Sequence, residues 1–142
     1  MKTILFADDN RNIREYCRAA LEDEGYRVVL ARDGMDAVRT FRKETPDLAI
    51  LDICMPGVNG LEAMERIKAI EPKVPVILFT AYDDDCVRDQ RGSLAMGCVE
   101  KSEDLTELKR LVAAAFRPPV SESGTPSLRL GLPPASCKAE SA

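Results

Sequence analysis

Five short apolar runs punctuate the chain: KTILFA (2–7), YRVVLA (26–31), DLAILD (47–52), VPVILFT (74–80) and the weaker CVE (98–100). Each has the composition of a strand, and segments of helical spacing separate them. That rhythm predicts βαβ units and a parallel sheet. The middle runs are nearly continuous rather than alternating, as a strand requires when helices cover both faces of its sheet. The pattern therefore predicts an α/β fold around a buried sheet.

The intervening segments predict five helices. The first spans roughly 11–24, with Ile13, Cys17, Ala20 and Leu21 on one face, Asn10 or Asn12 as N-cap and Gly25 as the stop. Asp33 caps a second that runs to about 44, with Ala37, Val38 and Phe41 inward. The third opens at Gly60 and runs to about Ile70, burying Leu61, Met64, Ile67 and the Lys68 stem. A fourth, less apolar, has caps among Asp83 to Asp85 and ends near Gly92 to Ala95. In the fifth, Leu105, Leu108, Leu111, Val112 and Ala115 repeat with helical period until Pro118-Pro119 ends it. Beyond Arg117 the sequence turns to Pro, Ser and Gly without periodicity. Residues 1–117 thus read as one domain and 118–142 as a flexible tail or linker remnant.

A length of 142 residues suits a single domain with a substantial core. Lys+Arg 20 against Asp+Glu 24 gives a net charge of -4, and no stretch gathers five or six like charges. Direct nucleic-acid binding is disfavoured on both counts. No apolar stretch is long enough to cross a bilayer, and MKTILFADDN meets two acids before a signal-peptide core forms. A soluble, cytoplasmic protein that does not enter membranes is expected. The chain has no histidine, which excludes Ser-His and Cys-His catalysis and histidine acid/base chemistry. Cys17, Cys54, Cys86, Cys98 and Cys137 form an odd set without a CxxC pair, and they read as reduced thiols. Any chemistry falls to carboxylates, lysine and hydroxyls.

Open parallel sheets bind ligands outside the carboxyl ends of their strands. Asp8 and Asp9 follow the first predicted strand, Asp52 ends the third, Thr80 ends the fourth and Lys101 follows the fifth. Each alone has an ordinary explanation. The Asp8-Asp9 pair favours a helix N-terminus, Asp52 finishes a strand before the Pro56-Gly57 turn, Thr80 is a β-branched strand end and Lys101 a solvated cation. Together they place three acids, a hydroxyl and an amine at one crevice, where the acids repel one another unless a cation sits among them. Carboxylate oxygens with retained water suit Mg²⁺, which commonly binds together with phosphate oxygens. A carboxylate is also a nucleophile able to form an aspartyl-phosphate, and an ammonium offsets charge on a transferring phosphoryl group.

The ordered set ILFADDN, LAILDICMPGVNG, ILFTA and VEKS resembles the receiver domain of two-component response regulators over roughly residues 1–116. The resemblance implies a doubly wound, flavodoxin-like sheet in strand order 2-1-3-4-5. It implies that Asp52 is the phosphoacceptor of a sensor histidine kinase or phosphotransfer protein, in a reaction dependent on Mg²⁺. Asp9 and Asp52 would bind the ion directly, Asp8 through water, and Cys54 through its main-chain carbonyl. Lys101 would pair with the phosphoryl oxygens, and Thr80 would turn toward them and shift Ala81, Tyr82 and the following loop. Such a protein is a signalling domain rather than an enzyme in its own right. Its partners would be a downstream target or a missing output domain, and the family admits a homodimer through the fourth and fifth helices.

Two features depart from the family pattern. Ser102 follows the lysine where a cis-proline is usual, and Cys98 stands where an aromatic switch residue is usual. Switching is therefore expected to rest on Thr80 and residues 81–85, with Tyr82 as a substitute aromatic that also shields the phosphoryl group from water. The rival reading is a receiver-like binding module that works without phosphorylation. A phosphatase of the haloacid dehalogenase type is disfavoured, because its general acid, two residues past the nucleophile, is here Cys54.

Overall fold

The computed structural model describes residues 1–81 and 90–117; the expected tail over 118–142 lies outside them. Five strands, β1 (Thr3–Ala7), β2 (Arg27–Ala31), β3 (Leu48–Leu51), β4 (Val76–Thr80) and β5 (Gly97–Glu100), form one sheet. Its order is β2-β1-β3-β4-β5, and every pairing is parallel. This is the doubly wound order expected from the sequence.

Four α-helices stand among the described residues: α1 (Arg11–Asp23), α2 (Gly34–Glu44), α3 (Gly60–Ile70) and α4 (Thr106–Phe116). The last is the expected fifth helix. Residues 82–89, which hold the start of the expected fourth, lie outside the described part. Its expected end is a 3-10 helix over Gln90–Leu94 rather than an α-helix. Gly92 and Ser93 explain the difference, since both are weak α-helix formers and a short 3-10 turn tolerates them.

Helix starts follow local chemistry. The side chains of Asn10, Asp33 and Asn59 accept hydrogen bonds from Ile13, Asp36 and Glu62 N–H respectively, each satisfying a donor left over by the first turn. Helix α1 stops at Gly25, whose φ of 97° is open to glycine without penalty.

All residues of β3 and β4 are buried, and their side chains alternate between two cores. Ile4, Phe6, Ile50, Ile77 and Phe79 pack with Cys17 and Leu21 of α1 and Leu108 and Val112 of α4. Leu5, Ala49, Leu51, Val76 and Leu78 pack on the opposite face with Phe41 of α2 and Met64 and Ile67 of α3. Each large apolar side chain buried this way contributes roughly 1.5–3 kcal/mol. The continuous apolar runs seen in the sequence are this two-sided burial. With both faces filled, the polar groups at the strand ends are left at the sheet's carboxyl edge.

Candidate functional site

Three strands deliver the acids and the amine to one place. Asp8 follows β1, and its N–H donates to Ala31 O at 3.1 Å, which ties it to the end of β2. Asp52 lies one residue past β3, just outside the regular ladder, yet its N–H still donates to Ala7 O at 2.9 Å. Both backbones are thus fixed by sheet neighbours, and both side chains are buried, Asp8 at 0% exposure and Asp52 at 2%. Lys101 follows β5, and its N–H donates to Thr80 O at 2.7 Å.

The Lys101 ammonium stands 2.8 Å from Asp8 Oδ2 and 3.1 Å from Asp52 Oδ2. The remaining carboxylate oxygens meet backbone: Asn10 N–H donates to Asp8 Oδ1 at 2.8 Å and Cys54 N–H to Asp52 Oδ1 at 3.2 Å. Carboxylate oxygens of Asp8, Asp9 and Asp52 lie within 4.8 Å of one another, with Asp9 exposed at the mouth. Among the described residues, buried Asp8 Oδ2 has no hydrogen bond of good geometry, and the Lys101 ammonium is its charge partner.

One ammonium facing two buried carboxylates and a third acid leaves negative charge in excess. The titration of Asp52 reflects this: burial first, then the Asp8 charge, push its carboxyl up to about 6, against the pull of Lys101 and the Cys54 N–H. Burial alone would lower the Lys101 pKa, but Asp8 and Asp52 outweigh it and hold the ammonium above its ordinary value. A divalent cation fits this donor set. It would supply the missing positive charge and occupy the buried oxygen that lacks a hydrogen bond.

Of the other expected residues, Thr80 is buried at the end of β4 and Ala81 is exposed beside it. Tyr82 lies outside the described residues. Cys54 is exposed, with its peptide N–H against the Asp52 carboxylate. Cys98 pairs in register with Leu78. It is disulfide-bonded, whereas Cys17 and Cys54 keep the thiol form. The expectation of five reduced thiols therefore fails at Cys98, because spacing along a chain does not reveal which sulfurs fold into reach. No peptide among the described residues is cis.

Sequence reasoning missed three contributors. A Cβ on Gly60 would lie 2.1 Å from Asp52 O, and one on Gly34 would lie 1.8 Å from Val58 O. Both glycines let helices close on the loop that follows Asp52. Arg14 Nη1 donates to Asp8 O at 2.8 Å. A glycine at a helix start hints at close approach, but an arginine on a helix face carries no such signal.

The fold and site together define a doubly wound α/β domain with three acids and a lysine gathered at the carboxyl edge of its sheet. The response regulator receiver domain family matches residues 4–113, and the chain belongs to that family as a receiver domain of two-component signalling. Sporulation initiation phosphotransferase F of Bacillus subtilis is 34% identical over 110 residues, covering 77% of this chain and 89% of that one. The probable transcriptional regulatory protein TcrX of Mycobacterium tuberculosis is 34% identical over 95 residues, 67% of this chain but 40% of the longer relative. The response regulator TrrA of Thermotoga maritima, solved with Mg(2+)-BeF, superposes with a TM-score of 0.78 at 39% identity, covering 82% of this chain and all of TrrA. TrrA in complex with the histidine kinase ThkA superposes with a TM-score of 0.76.

Proposed function

We propose that Asp52 is the phosphoacceptor of this receiver domain and that the reaction requires Mg²⁺ held by Asp8, Asp9, Asp52 and the Cys54 main-chain carbonyl. The observation that carries this reading is the convergence of Lys101 on Asp8 and Asp52, at 2.8 and 3.1 Å, from the ends of three different strands. An Asp52 oxygen attacks the phosphorus of a phosphohistidine on a partner kinase or phosphotransfer protein. The O–P bond forms as the N–P bond breaks, and the imidazole nitrogen keeps the electron pair. When bound, Mg²⁺ would offset negative charge on the acids and on the transferring phosphoryl group. Lys101 shifts its ammonium from the carboxylates to those oxygens.

The new anion is read by Thr80, whose carbonyl already holds the Lys101 backbone, and the movement passes to Ala81 and the segment containing Tyr82. The phosphoaspartate is a mixed anhydride that water cleaves, so the domain resets itself without being an enzyme toward other substrates. The likeness to TrrA bound to a histidine kinase supports a sensor kinase as donor. Longer relatives named as transcriptional regulators support either an output domain or a separate target protein downstream. We read the setting as cytoplasmic. Homodimerisation would use the segment after β4 together with α4.

The test is incubation with acetyl phosphate and Mg²⁺ followed by intact mass measurement. A mass gain of one phosphoryl group is expected in the native protein, with none in Asp52→Ala and none after chelation. An unmodified native protein would favour the phosphorylation-independent binding module.

A further inference from the structure

We propose that Arg14 is a positioning residue of the acid pair, acting on Mg²⁺ affinity through the main chain of Asp8 rather than by contact with the ion. The proposal rests on the reading of Asp8, Asp9 and Asp52 as metal ligands. Arg14 lies in the first turn of α1, where the peptide dipoles favour acids and disfavour a cation, and that turn contains no acid. Its guanidinium nonetheless folds back and donates to Asp8 O at 2.8 Å in a partly buried hydrogen bond. The neighbouring carboxylates offset the electrostatic cost of that placement.

Asp8 is held at every other polar atom as well. Its N–H meets Ala31, its Oδ1 meets Asn10 and its Oδ2 meets Lys101. The carbonyl held by Arg14 belongs to the peptide joining Asp8 to Asp9. Because a peptide is planar, fixing that oxygen also fixes the nitrogen and Cα of Asp9. One guanidinium therefore sets the direction from which both acids reach into the site, including Asp9, which is exposed and lies beyond the sheet ladder.

Two effects of Arg14 on a bound cation have opposite signs. Its charge repels the ion, so removing it would tighten binding if electrostatics alone mattered. Its hydrogen bond holds the ligands in place, so removing it weakens binding if positioning dominates. Variants that separate donor from charge decide between them: Arg14→Met lacks both, Arg14→Gln keeps a neutral donor, and Arg14→Lys keeps the charge and one donor.

The measurement is an NMR titration of the metal-free protein with Mg²⁺ alone, paired with thermal unfolding in the absence of metal. Arg14→Met is expected to weaken Mg²⁺ binding roughly tenfold, the lower end of what loss of an outer-shell partner costs. Gln and Lys are expected to recover most of that loss. Unchanged or tighter binding in Arg14→Met overturns the proposal. Should Arg14→Met fail to fold, Arg14→Gln decides: native-like affinity supports positioning, and tightened affinity overturns it. A native protein that binds no Mg²⁺ overturns the metal reading itself, and the role of Arg14 with it.

Discussion

Asp52 carries an opposition between position and charge. A nucleophile must be held rigidly, and burial between strands does that, but burial also raises the cost of ionising the same carboxyl. With its folded pKa at about 6 and an unfolded value of about 3.9, the folded state binds the proton more tightly. The penalty is therefore absent below about pH 4, grows as pH rises toward 6, and is fully present above it. Asp52→Asn should stabilise the metal-free protein at pH 7 by on the order of 2 kcal/mol and flatten the fall in stability across that window. Urea unfolding at several pH values would show this, and an unchanged slope in the variant would assign the cost elsewhere. The acids and Lys101 were legible in the sequence because each directly ends or follows an apolar run. Arg14 was not, because nothing in helical spacing indicates that a side chain bends back to the preceding loop.

Two glycines show how helices hold the loop that follows Asp52. Gly60 and Gly57 lie three residues apart but answer to different constraints. A Cβ at Gly60 would strike the Asp52 backbone, whereas Gly57 has open space and a φ of 73°. Gly60→Ala should cost about 1–3 kcal/mol by overpacking and slow phosphorylation by acetyl phosphate, because what moves is the Asp52 main chain itself. Gly57→Ala should cost about 1 kcal/mol for the left-handed backbone and leave the phosphorylation rate near native. Equal rates in the two variants would remove Gly60 from the positioning of Asp52. The sequence made the helix caps visible, since Asn10 and Asp33 act by local bonds over three residues. It could not show the Gly34 approach to Val58, which depends on how α2 and the loop after Asp52 meet in space. The 3-10 helix at 90–94 was hidden for a related reason: a weakly apolar segment takes its geometry from what it packs on.

The sheet order joins these parts, because the parallel order places the ends of β1, β3 and β4 side by side around one pocket. A ligand there binds the folded state and not the open chain, so Mg²⁺ should raise the unfolding free energy by about 1.4 kcal/mol at tenfold above its dissociation constant. The gain should be larger at pH 7 than at pH 5, since a protonated Asp52 competes with the ion. Calorimetry at the two pH values with and without Mg²⁺ tests this, and a gain independent of pH would exclude Asp52 as a ligand. The strand order was readable from the rhythm of apolar runs together with the family motifs, whereas the disulfide at Cys98 was not. Lys101 is tethered at the end of β5, which among the described residues is an outer strand paired with β4. Were that ammonium to let go of the carboxylates for an incoming anion, the pull would fall first on this outer strand and reach the strands that carry Asp8 and Asp52 only through β4.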